Sequence, residues 1–74
     1  MKYQKRKFSS RHEQISLNED GSFDIFFIIK GIQYQTRAYL PNNIDPLDIK
    51  WYCQSIARDH RNNKLRKLLR KEIW

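Results

Sequence analysis

The stretch Ser22-Phe23-Asp24-Ile25-Phe26-Phe27-Ile28-Ile29-Lys30-Gly31-Ile32-Gln33-Tyr34-Gln35-Thr36-Arg37-Ala38-Tyr39-Leu40 decides how this chain folds. Its first half, Ser22 to Lys30, is dense in β-branched and aromatic residues, which suit a pleated, half-buried surface. A period of two puts Phe23, Ile25, Phe27 and Ile29 on one face and Asp24, Phe26, Ile28 and Lys30 on the other. Lys30-Gly31 supplies a tight turn. Ile32 to Leu40 then alternates again, with Ile32, Tyr34, Thr36, Ala38 and Leu40 against Gln33, Gln35, Arg37 and Tyr39. Two alternating runs joined at a glycine read as a β-hairpin.

Upstream, Asn18-Glu19-Asp20-Gly21 signals another turn, because Gly21 accepts φ > 0 and Asn and Asp hydrogen-bond their own backbone. Gln14 to Leu17 precedes it as a short strand with Ile15 and Leu17 on one side. The pattern therefore predicts a three-stranded antiparallel meander over about 14–17, 22–30 and 32–40. Residues 1–12, MKYQKRKFSSRH, lack an apolar repeat and read as a basic arm, disordered until it meets an anion.

Downstream, Pro41-Asn42-Asn43 ends the sheet, and Asp45-Pro46 opens a helix with Asp45 as N-cap, Pro46 at N1 and Asp48 in the first turn. Ile49, Tyr52, Cys53, Ile56, Ala57 and His60 fall on the face expected to meet the sheet. Lys50, Gln54, Ser55, Arg58 and Asp59 are expected to point away, and Trp51 to cover an edge. A second stripe of Leu65, Leu68, Leu69 and Ile73 follows among Lys64, Arg66, Lys67, Arg70 and Lys71. In one unbroken helix Ile56 and Leu65 would lie about 180° apart. The reading adopted is a break at Asn62-Asn63, giving helices over about 46–61 and 64–73; the alternative is a long helix whose second stripe meets another molecule. The expected fold class is α+β, one small domain over 13–74 behind the arm at 1–12.

Length and composition narrow the function. The 74 residues make one domain with a thin core, and an aromatic content of 14% argues against a disordered chain. The longest apolar run, Ile25 to Ile29, falls far short of the about 20 residues that span a bilayer. No apolar stretch follows the basic start, so a secretory signal is not expected. One cysteine, Cys53, allows neither an internal disulfide nor a cysteine metal site, and a reducing, cytoplasmic setting is expected. Cys53 reads as a small apolar core residue.

The formal charge of +7 is unevenly placed: residues 1–11 carry +5, residues 12–48 net −4 and residues 49–74 net +6. Basic ends around a mildly acidic middle suit contact with a polyanion, most often nucleic acid, though ordinary solvated surface gives the same composition. Catalysis has little to use. His12 lies in the arm, His60 completes the helix stripe, and no nucleophile or base stands beside either. No enzyme, metal or cofactor is expected, with a small toxin-like ribonuclease as a minor alternative. Gly21 and Gly31 stand alone and form no phosphate-cradling loop.

Two surfaces remain. On the non-core sheet face, Gln33, Gln35, Arg37 and Tyr39 with Lys30 form a row able to read bases, since Arg bridges guanine O6/N7 and Gln bridges adenine N6/N7. Phe26 and Ile28 share that face and ask for a cover, either another part of the chain or a protein partner. The second surface is the basic segment with Arg58, Arg61, Lys64, Arg66, Lys67, Arg70 and Lys71, which suits a phosphate backbone or a partner's groove better than a membrane.

The run Asp20-Gly21-Ser22-Phe23 through Lys30-Gly31-Ile32-Gln33-Tyr34 resembles the N-terminal arm-type DNA-binding domain of phage and transposon integrases, related in shape to plant AP2 domains. The resemblance covers about residues 14–60 and rests mostly on turn and alternation signals. It implies a meander plus one helix whose sheet lies in the DNA major groove, with Gln33, Gln35 and Arg37 reading bases and Lys30 near a phosphate. Strand residues Asp24, Phe26 and Ile28 depart from the more basic family sheets, and with no catalytic domain in the sequence to Trp74, recombinase activity is not expected of it. The expected function is a small basic accessory or regulatory protein of phage or mobile-element origin, binding nucleic acid, DNA over RNA. Lys2, Lys5, Arg6, Lys7, Arg11 and the basic C-terminal residues would hold phosphates. The competing reading is an inhibitor or adaptor docking on a host protein, or a homodimer, through Phe26, Ile28, Leu65, Leu68, Leu69 and Ile73.

Overall fold

The computed structural model describes the backbone of residues 3–73 and the side chains of residues 3–70. Four strands, where the sequence pattern predicts three, run as an antiparallel meander in the order β1 (Arg6–Ser9), β2 (Glu13–Leu17), β3 (Ser22–Ile29) and β4 (Ile32–Tyr39). The extra strand lies inside the segment read as an arm. β1 pairs with β2 from Arg6 opposite Leu17 to Ser9 opposite Gln14. Phe8 holds it there: it is buried against the core, with the Arg6 guanidinium 4.8 Å from its ring centroid. Tyr3 ties the chain further back, its N–H donating to the Glu19 carbonyl at 2.8 Å while its ring lies against Gly21.

The two later turns follow their sequences. Lys30 and Gly31 both take positive φ (53° and 80°), the two-residue geometry whose twist matches the flanking strands. At the β2–β3 connection, the Gly21 N–H closes a turn on the Asn18 carbonyl at 3.2 Å, and Gly21 itself adopts φ 90°. Asp20 Oδ1 accepts from the Ser22 N–H (3.0 Å) and Oγ (2.6 Å), which fixes the entry to β3.

One face of the sheet carries the core. Phe23, Ile25, Phe27 and Ile29 of β3 are buried beside Ile15 and Leu17 of β2, and β3 pairs with β2 and β4 in a single register. Above them lies a single helix, α1 (Ile49–Ile73), entered through a 3-10 turn at Pro46–Asp48. Asp45 caps it, its Oδ1 accepting from the Leu47 N–H at 3.0 Å, with Pro46 in the first turn.

α1 is continuous through Asn62-Asn63, so there is no break at that pair and, among the described residues, no second α-helix. The reason lies in which residues centre the packed stripe. Cys53 and Ala57 are fully buried, and their small size lets the helix approach the sheet closely. Measured around the axis from Ala57, Leu68 lies about 20° and Leu65 about 80° away, on the side opposite Ile56 at about 100°. Ile56 and Leu65 are thus the two flanks of one wide stripe, and Leu65 and Leu68 pack on the same core as Ile56. Trp51 was expected to cover an edge but is 67% exposed. Gln54 was expected to point away, yet its Nε2 donates to the Ser9 carbonyl at 3.1 Å and ties the helix to β1.

Two substitutions probe these features. Gly31→Ala should cost about 1 kcal/mol through backbone strain alone, because an added Cβ meets nothing within 4 Å. Asn63→Ala, at an exposed position inside a continuous helix, should stabilise by about 0.5 kcal/mol. Denaturant midpoints at constant m-value measure both, and an Asn63→Ala variant no more stable than the parent would argue for a break there.

Candidate nucleic-acid interface

Strand alternation builds the second sheet face without help from any other element. Register places Ser9, Gln14, Phe26 and Gln35 in one cross-strand row, and Lys7, Ser16, Asp24 and Arg37 in the next. Gln33 lies opposite Ile28 at one end, and Tyr39 opposite Ser22 at the other. The helix packs on the opposite face, over β2 with β1 and β3 beside it. Gln14, Gln33, Gln35, Arg37 and Tyr39 are therefore exposed, and Ile28 is 63% exposed.

Phe26 is half-buried and stands between two shallow hollows. One, of about 540 Å³, runs from Arg11 and His12 past Gln14 to Ile28 and Gln33. The other, of about 280 Å³, lies between Lys7, Ser16 and Asp24.

Arg37 is not a loose cation on this face. Its Nε donates to Asp24 Oδ1 at 2.8 Å, while Asn18 Nδ2 reaches Asp24 Oδ2 at 3.4 Å. The guanidinium bond holds the Asp24 carboxyl below its ordinary pKa, the Asn18 bond adds to this, and Asp24 in turn raises that of Arg37. The pair orients the guanidinium across two strands and cancels its charge. Among the strand residues of this face, Lys7 is the charge that remains. Asp20 is likewise held below its ordinary pKa, mainly by the Ser22 hydroxyl and N–H.

The residues singled out in the sequence separate into two layers. Gln33, Gln35, Arg37, Tyr39, Phe26, Ile28 and Lys7 share the uncovered face; Lys30 sits in the turn at one end and Arg11 in the β1–β2 turn. Arg6 is turned to the helix side, over Phe8. Arg58, Arg61, Lys64, Arg66, Lys67 and Arg70 belong to the helix layer, with Arg58 and Arg61 lining a hollow that they share with Arg11. Lys64 Nζ stands 4.8 Å from the Tyr34 ring centroid, and Tyr34 stacks on Phe27. Leu65 and Leu68 serve the core, whereas Leu69 is 46% exposed. Lys2, and the side chains of Lys71 and Ile73, lie outside the described residues.

Sequence reasoning missed Gln14, whose place beside Phe26 follows from register alone, and the pairing of Glu13 with Arg61. Glu13 is 3% exposed and its Oε2 lies 3.8 Å from Arg61 Nε, joining β2 to the helix. At that distance the pair is an ion contact and not a hydrogen bond, and the other Glu13 oxygen and Arg61 Nε are both buried with no hydrogen-bond partner among the described residues. A buried charge of this kind is costly to leave alone, so Arg61 is a structural partner first. His12 and His60 line different hollows, the first with Glu13, Arg58 and Arg61, the second with Tyr34, Thr36 and Lys64. Among the described residues no group of three or more His, Cys, Asp or Glu side chains could hold a metal, and no helix is long and apolar enough to cross a membrane.

The Asp24–Arg37 pair gives a pH signature. A carboxyl held below its unfolded pKa contributes stability above that unfolded value, near 3.9, and loses it as pH falls through the folded value. Asp24→Asn should therefore be less stable than the parent at pH 7, and the difference should shrink as pH drops below about 4. Thermal unfolding of both proteins across pH measures it. No family model, curated protein or solved structure matches the chain, so the reading of this face rests on its own residues.

Proposed function

We propose that the protein is a small nucleic-acid-binding accessory or regulatory protein that takes duplex DNA on the uncovered face of its sheet. The observation that supports this most is the row Gln33, Gln35, Arg37 and Tyr39 along β4, exposed side by side with no covering element among the described residues. A sheet of this kind can enter the major groove, where Gln matches the adenine edge and Arg the guanine edge. Arg37, already oriented by Asp24, presents its remaining guanidinium donors at less entropic cost than a free arginine.

Phosphate contacts then come from the rim: Lys5 just before β1, Lys7 on it, Arg11 in the turn that follows, and Lys30 at the hairpin end. Arg58, Arg66, Lys67 and Arg70 stand on the other layer and act at longer range, raising the encounter rate with a polyanion.

Binding of duplex DNA measured across salt concentration tests the reading. Log affinity should fall linearly with log salt. Replacing Lys5, Lys7 and Arg11 by Ala should flatten that slope more than replacing Arg66, Lys67 and Arg70. Arg37→Ala should cost discrimination between sites, on the order of 1–3 kcal/mol at one base pair, more than it costs non-specific affinity. Binding that is absent or salt-insensitive overturns the proposal. A second reading rests on Ile28, 63% exposed beside Phe26: an apolar protein partner would use the same face. Loss of that partner on Ile28→Lys, with DNA affinity absent from the parent, would favour it.

A further inference from the structure

β4 is an edge strand, and among the described residues no other strand pairs with its outer side, although Lys64 and Lys67 of α1 stand beside Tyr34 and Thr36 on its inner face. It runs for 8 residues, Ile32–Tyr39, none of them buried, with no proline and no break in its register with β3. Its charged residue, Arg37, is already matched by Asp24. The other edge, β1, is half as long and carries Arg6 and Lys7. Long, uncharged edges pair with other strands unless something prevents it.

The orientation of the unpaired groups limits what can pair there. Leu40 donates its N–H to the Gly21 carbonyl at 2.9 Å. By the two-residue alternation of an antiparallel ladder, Ile32, Tyr34, Thr36 and Ala38 also turn their backbone groups toward β3. Gln33, Gln35, Arg37 and Tyr39 turn theirs outward.

We infer that β4 pairs antiparallel with β4 of a second copy of this chain, on a two-fold axis through Thr36. In that register Gln35 meets the other copy's Arg37, and Gln33 meets its Tyr39. Every outward N–H and C=O of those residues is then used, and the symmetry closes the interface as a dimer. Moving the axis to Gln35 would leave Tyr39 facing Gly31, outside the strand. The side chains agree with the Thr36 register. Thr36 meets Thr36, a favourable cross-strand pair, and Tyr34 meets Ala38. Arg37 never faces its own copy. The two sheets become one continuous sheet, and the uncovered face doubles in width. This inference does not depend on nucleic-acid binding.

Sedimentation equilibrium and cysteine crosslinking test it on the full chain. The parent should show a concentration-dependent mass rising to twice 9.1 kDa. Gln35→Pro removes an outward N–H but none of the bonds to β3, and Gln35→Lys sets a second cation opposite Arg37. Each should weaken self-association about tenfold or more while leaving the circular dichroism spectrum and thermal midpoint near those of the parent. Thr36→Cys should form a disulfide-linked dimer under mild oxidation far faster than Gln35→Cys, which the register places opposite arginine. Cys53 will not compete, since it is fully buried and burial pushes its thiol pKa up to about 11. A parent that stays monomeric at its highest soluble concentration overturns the inference. So does a dimer that survives both Gln35 variants, or one that Gln35→Cys crosslinks as readily as Thr36→Cys.

Discussion

One helix can lie on only one face of a four-stranded sheet, and that constraint organises the rest of this molecule. Among the described residues one helix lies on the sheet: the inner face takes Phe23, Ile25 and Phe27 against Cys53 and Ala57, and the outer face is open to water or to a partner. The sequence accommodates both demands along the same strand. β3 is buried at every second position, while Asp24, Phe26 and Ile28 between them remain partly or largely exposed. A domain of this size has little core to spare, since truncating one buried Phe costs about 3–5 kcal/mol. The inner face is therefore fixed by stability, and the outer face is where sequence can vary for recognition.

The position of the helix on the sheet depends on small and polar groups more than on large ones. Cys53 and Ala57 permit close approach, and one turn further on Arg61 reaches the buried carboxylate of Glu13. Gln54 reaches the backbone of β1 from the same side. These contacts hold α1 over β1, β2 and β3, which leaves β4 with no buried residue. The uncovered edge of β4 is thus a consequence of where the helix is held.

Much of this is legible in the residues, and what is not has identifiable causes. Strict alternation and two positive-φ glycines specify β3, β4 and their turns, because one buried face permits one register only. The same alternation places Gln33, Gln35, Arg37 and Tyr39 together. β1 is hidden because four residues with two cations and one aromatic make no pattern; Phe8 signals burial only once its pairing with β2 is known. The helix appears broken because large residues advertise its flanks and the small residues at its centre do not. Gln14 beside Phe26, and Asp24 beside Arg37, are products of cross-strand register, which no local reading of sequence contains.

The structure also changes what the net charge means. Among the described residues, the basic side chains of the two chain ends are spread over both layers and meet where Arg11 lines one hollow with Arg58 and Arg61. Those of α1 occupy the helix layer, where Arg61 is committed to Glu13 and Lys64 to the Tyr34 ring. On the sheet face Asp24 and Arg37 cancel, so the residues best suited to reading a base edge sit in a nearly neutral field. Under the proposed DNA-binding role, attraction and discrimination would be physically separate: long-range attraction would belong to the rim and the helix, and short-range complementarity to a face of amides, one tethered guanidinium and a half-buried phenyl ring. A neutral reading face would gain little from non-specific phosphate, so any preference it expressed would have to come from hydrogen-bond geometry and shape.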